Sequence, residues 1–102
     1  YQSLLPCLDC VQTVYWFLKN CGLAEKLPPL AIFGMIFGAM IHDAGHPGLG
    51  NGYLVATSSW LAILYNDKSV LENMHVSITF SLLLEELMLL TFLMVQLLDY
   101  QK

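Results

Sequence analysis

Residues 41–51 read Ile-His-Asp-Ala-Gly-His-Pro-Gly-Leu-Gly-Asn, and they constrain the fold more than any other stretch of this chain. Pro47, Gly48 and Gly50 forbid helix here, so His42, Asp43 and His46 must sit in a turn at the end of an apolar segment, where a cleft can open. An imidazole beside a carboxylate offers one nitrogen and two oxygens to a divalent cation. Zinc, manganese or magnesium suit such ligands, and a carboxylate bridging two ions lets them activate a water between them for phosphoester hydrolysis. Read alone, the same residues also suit a helix C-terminus that carries a cation-friendly His and a polar turn.

Composition narrows the classes of function. The chain has 102 residues, of which 57% are hydrophobic and 12% charged, about half the usual charged share of a soluble domain. A large apolar surface must normally be covered. Four Lys plus Arg, all of them Lys, and a net charge of −4 leave no basic stripe for a phosphate backbone, so nucleic-acid binding is excluded as an expectation. Cys7, Cys10 and Cys21 are odd in number with no signal peptide before them, which predicts free thiols in the cytoplasm. The chain starts at Tyr1, without Met, and a fragment is expected.

The apolar spacing predicts helices throughout and no strand pair. Leu8, Val11, Val14, Tyr15 and Leu18 recur at helical steps up to Cys21, with Gly22 as the C-cap. Cys7 and Cys10 make an isolated C-x-x-C, read as core thiols in the absence of a second pair. Pro28 and Pro29 open a second helix, apolar from Leu30 to Ile41 and too short at about twelve residues to cross a bilayer, so it is expected in the core. Gly34 and Gly38 suggest a closely packed neighbouring helix. A short helix over residues 51–57, another capped by Ser58 or Ser59, and a break at Tyr65-Asn66-Asp67-Lys68 follow. Ser69-Val70-Leu71-Glu72 is a capping box that starts a further helix, on which Glu72 and His75 share a face. A long final helix reaches Tyr100. Its apolar run, Leu87 to Leu98 beyond Glu85 and Glu86, is again shorter than a span, so no transmembrane segment is expected.

Taken together, His42-Asp43-x-x-His46-Pro47-Gly48-x-x-Asn51, Leu61-Ala62-Ile63-Leu64-Tyr65-Asn66-Asp67, Ser69-Val70-Leu71-Glu72-Asn73 and His75 closely resemble the catalytic domain of class I 3',5'-cyclic nucleotide phosphodiesterases. The phrase A-I-L-Y-N-D-x-S-V-L-E-N is most similar to the calcium/calmodulin-dependent branch. Upstream, Tyr1-Gln2-Ser3-Leu4-Leu5-Pro6 and Asp9-x-x-Gln12-Thr13-Val14 align with the family's Y-H-N-x-x-H-A-x-D-V-x-Q-T-V. The resemblance covers roughly residues 1–82 of a single partial domain, with residues 83–102 read as a divergent apolar helix.

The resemblance implies an all-α, multi-helix HD-type bundle with two divalent cations, zinc plus magnesium or manganese, and hydrolysis of cAMP or cGMP to the 5'-monophosphate. His42 and Asp43 match two of four protein ligands of the tighter metal, and Asp43 the carboxylate that bridges to the second. His46, Glu72 and His75 match groups that hold the second metal's waters. Gln2 stands where the family has its proton-donor His, and an amide has no proton to give near neutral pH. Pro6 stands where another His ligates metal, Met74 replaces a further His, and the remaining ligand Asp and the base-clamping Gln belong to a region this chain lacks. The 102-residue chain is therefore expected to be an incomplete, inactive piece. The competing expectation is a non-catalytic helical module that kept the scaffold and pairs, with itself or with a partner, through the apolar C-terminal helix.

Overall fold

The computed structural model describes residues 4–100, and these form five helices. Helix α1 runs Leu4–Asn20, α2 Pro29–Ile41, α3 Asn51–Ala56, α4 Trp60–Leu64 and α5 Val70–Tyr100. The architecture is all-α, as the apolar spacing predicts.

Helix α1 begins before Leu8 because Pro6 falls in the first turn, where backbone N–H groups have no intrahelical acceptor to lose. Gly22 follows its end with a φ of +65°, a conformation that glycine adopts without strain. The chain then turns back through Pro28 into α2, with Pro29 at the first helical position. Leu18 of α1 and Ala39 of α2 are buried, and the Cys7 thiol donates to the Met40 carbonyl at 3.0 Å. The start of α1 is thus held beside the end of α2, next to His42.

The core is built by the later helices. Leu54 of α3, Leu61 and Ala62 of α4, and Val70, Leu71 and Met74 of α5 are buried together, with Val55, Tyr65 and Ile78 packed around them. Ser59 caps α4 through its hydroxyl, which accepts from Ala62 N–H at 3.2 Å. Helix α5 starts at Val70 as the capping-box motif predicts, but a residue distant in sequence supplies the cap. Asn51 Oδ1 accepts from Leu71 N–H at 2.9 Å, and Asn51 Nδ2 donates to the Glu72 carboxylate at 3.0 Å. Met74 lies 7% exposed in this core, so the departure from His is absorbed as packing.

Three expectations about packing are corrected. Helix α2 buries only Ala39 among its side chains, whereas Leu30, Phe33 and Met40 are exposed, because the described residues supply no helix for its outer face. Among the described residues nothing approaches within 4 Å of a Cβ placed on Gly34 or Gly38, so the glycine pair seats no neighbour among them. Finally, the capping-box helix and the C-terminal helix are a single element of 31 residues. The stretch Val70–Met94 is long and apolar enough, by length and composition alone, to cross a membrane, although Glu85 and Glu86 lie within it. Counting only Leu87 to Leu98 misses this, because the length that matters is that of the continuous helix.

These exposures shape the molecule. Its radius of gyration is 18.4 Å, against about 13 Å for a compact domain of this length. Its accessible surface is 8131 Å², against about 5,800 Å² for a folded monomer of this mass. The excess, roughly 2,300 Å², is what a large permanent protein interface buries.

Candidate metal centre

The turn after α2 and the second turn of α5 meet to form the site. Two glycines make the turn possible. Gly45 (φ +69°) and Gly48 (φ +78°) adopt left-handed conformations that a side chain would strain, and a Cβ on Gly45 would lie 2.6 Å from Ile78 Cδ1. The tip of Ile78 on α5 therefore occupies the space that a side chain at residue 45 would take. Phe37 of α2 meets Phe80 of α5 edge to face, with centroids 6.3 Å apart, and fixes the same junction one layer away.

Hydrogen bonds set the protonated nitrogen of each ring. A backbone carbonyl only accepts, so the bonds from His42 Nδ1 to Ala39 O at 2.8 Å and from His75 Nδ1 to Ala44 O at 2.6 Å place the proton on Nδ1. Nε2 is then the nitrogen with a free lone pair in both rings, which is how proteins orient an imidazole for metal. His46 is the opposite case. Its Nδ1 accepts from Gly48 N–H at 2.9 Å, so the neutral ring carries its proton on Nε2.

The sequence-predicted residues separate into three groups. His42 Nε2 lies 3.2 Å from Asp43 Oδ2, both side chains about two-fifths exposed. With the His42 proton on Nδ1 these are two acceptors facing each other, a pairing that a metal cation or a water donating to both would relieve. Asp43, His46 and His75 form the second group, each offering a ligand atom within 4.8 Å of the others. Asp43 thus belongs to both groups, as a bridging carboxylate must. Glu72 stands apart, bound to Asn51 on the exposed rim. Its carboxyl is held below the usual range, chiefly by the Asn51 amide and then by a backbone hydrogen bond. Gln2 lies outside the described residues. Pro6 is exposed in the first turn of α1, the end that the Cys7 thiol fastens to the Met40 carbonyl, two residues before His42.

Sequence reasoning missed Asn51 as the residue that joins α3 to α5. A signal was available: an amide directly after Gly50, at the predicted start of a helix, is free to cap a different helix from its own. His75 is buried to 4% exposure, and its Nε2 makes no hydrogen bond among the described residues.

Comparison with known proteins gives the family of the chain. The profile of the family described as 3'5'-cyclic nucleotide phosphodiesterase matches residues 1–98, a range that runs on past residue 82. The dual specificity calcium/calmodulin-dependent 3',5'-cyclic nucleotide phosphodiesterases 1C of mouse and rat are 46% identical to the chain over 86 residues. The human protein of that name is 45% identical over the same length. In each case 84% of this chain is covered, and the chain spans only 11–12% of the relative. On these grounds the chain belongs to the 3',5'-cyclic nucleotide phosphodiesterase family.

Proposed function

We infer that the chain is one part of the catalytic domain of a metal-dependent phosphodiesterase acting on cAMP or cGMP, and that these 102 residues alone do not complete the reaction. The observation that carries this reading is the Asp43 carboxylate shared between His42 on one side and His46 and His75 on the other. Residues of this kind would hold divalent cations: two rings present Nε2 lone pairs, and the Asp43 carboxylate lies near both. When bound, zinc together with magnesium or manganese would neutralise charge on the cyclic phosphate and lower the pKa of an attacking water. Within the chain, Ala39 and Ala44 carbonyls hold His42 and His75 in the ligating tautomer. His46, with its proton on Nε2, can donate to a bound water or a phosphate oxygen.

Two functions are left unfilled. Gln2 cannot protonate a departing 3' oxygen, and Pro6 offers no ligand where a His would complete the site beside His42. Two protein ligands rarely retain zinc against water. Purified chain should therefore show no hydrolysis of cAMP or cGMP above the rate of free metal ion, and Pro6→His should raise zinc affinity at least about tenfold. Turnover by the unaltered chain would reject the incomplete-site reading. The three free thiols, Cys7, Cys10 and Cys21, support a reducing, cytoplasmic setting.

A second reading is favoured by the distal part of α5, where Leu83, Leu87, Leu90 and Leu93 are all exposed. In it the chain keeps the scaffold and pairs with a second copy or another helix through this surface. Sedimentation of the isolated chain separates the two readings, a monodisperse monomer opposing the second.

A further inference from the structure

We propose that α5 pairs with α5 of a second copy of this chain, along a seam made by Val76, Phe80, Leu83, Leu87, Leu90 and Met94. The inference deepens the pairing reading of α5 and rests on it, not on hydrolysis.

The seam follows from the order of the residues. Residues 76–96 make three heptads, and sorting them by heptad position leaves two columns without a polar residue. One holds Phe80, Leu87 and Met94, the other Val76, Leu83 and Leu90, and together they alternate at steps of four and three, the a and d positions of a coiled coil. Each of the other five columns holds a Ser, Thr, Glu or Gln. Apolar residues lie on every side of this helix, but only along these two columns do they run unbroken. All six are exposed, although Phe80 also meets Phe37 of α2.

A second copy suits this seam better than a bilayer or a foreign helix. The stretch Val70–Met94 is apolar enough to cross a membrane, yet a bilayer would surround Glu85 and Glu86, which stand halfway along residues 76–96. A helix laid on the seam leaves both carboxylates in water. Charges flanking such a seam select the partner, and the only one at a flanking position here is Glu86. In a parallel pair it meets Thr91 of the other copy, so self-association sets no like charges together. The flanking Thr79 and Thr91 hydroxyls donate to the His75 and Leu87 carbonyls of their own helix, each at 2.8 Å, and bring no unpaired donor to the contact. Closed two-fold pairing needs a surface that complements itself, which an uncharged apolar seam does. Area suffices as well, because the chain's surplus surface of roughly 2,300 Å² exceeds the about 800 Å² per partner of a standard stable interface.

Sedimentation velocity of the 102-residue chain, diluted from about 100 µM to about 0.1 µM, reads the association. A monomer–dimer equilibrium is expected. Leu90 and Leu89 are adjacent and 56% and 53% exposed, but only Leu90 lies in the seam. Leu90→Lys should weaken the dimer at least about a hundredfold and Leu89→Lys less than about threefold. Each new lysine stands four residues after a Glu, so the helix is supported alike in both variants. In chain diluted to the monomer Leu90 stays half-exposed, and the effect is confined to concentrations at which the dimer forms. A monomer at every concentration overturns both the proposal and the pairing reading. So does a chain that stays monomeric but floats with phosphatidylcholine vesicles, which puts lipid on this surface. Equal effects of the two substitutions leave pairing standing and overturn the seam.

Discussion

Leu71 and Leu90 are the same residue on the same helix, yet Leu71 is 6% exposed and Leu90 56%. Near its start α5 is apolar on the side that α3 and α4 cover. Further along it is apolar all round: Leu82, Leu83, Leu84, Leu87, Met88, Leu89, Leu90, Phe92, Leu93 and Met94 are all exposed. Helical periodicity is a one-sided signal, and its loss beyond Phe80 marks where the described residues cease to provide a neighbour. The difference teaches where the site gets its rigidity. His75 lies just after the last buried core residue of α5, so the packed region fixes the ring that faces the metal turn, and the uncovered region adds nothing to it.

The contrast can be broken most forcefully at the core. Leu71→Ala should cost about 2–5 kcal/mol in urea or thermal unfolding, since transfer and cavity terms both apply. Gly45→Ala should cost about 1–3 kcal/mol, because a left-handed residue gains a side chain and Ile78 must move. Combining it with Ile78→Val should recover only the steric part, as read in a double-mutant cycle.

A smaller effect is expected at the link between α3 and α5. Asn51→Ala removes the acceptor of Leu71 N–H and should cost about 1 kcal/mol. It also removes the main cause of the lowered Glu72 pKa. A carboxyl whose folded pKa lies below its unfolded value contributes stability above the unfolded pKa and loses it as pH falls through the folded one. The difference in melting temperature between the parent chain and Asn51→Ala should therefore shrink as pH is lowered from neutral through the carboxylate range. A difference independent of pH would remove Glu72 from the account. Least of all, Leu90→Ala should change stability by less than about 0.5 kcal/mol, and a cost near that of Leu71→Ala would show that a partner covers α5 in solution.

Much of this was legible in the residues. Pro28 and Pro29, the break at Tyr65 to Lys68, and the Ser69-to-Glu72 motif placed helix boundaries through local chemistry that does not depend on the rest of the fold. His42 and Asp43 were legible as a pair because neighbours in sequence are neighbours in space. Burial was not legible in the same way. The run from Leu30 to Ile41 reads as core, yet only Ala39 is buried and Leu30, Phe33, Met35 and Met40 are exposed, because burial needs a second surface that this stretch of sequence cannot supply.

The sequence by itself determined the helices, the turn that ends α2, and the side chains capable of holding metal, since each follows from backbone restrictions and donor chemistry within a few residues. Only the tertiary structure decided that His75 joins Asp43 and His46, that Glu72 goes to Asn51, and which nitrogen of each ring is free. Those outcomes depend on α5 closing onto Gly45 and on carbonyls from another element, distances that no spacing along the chain encodes.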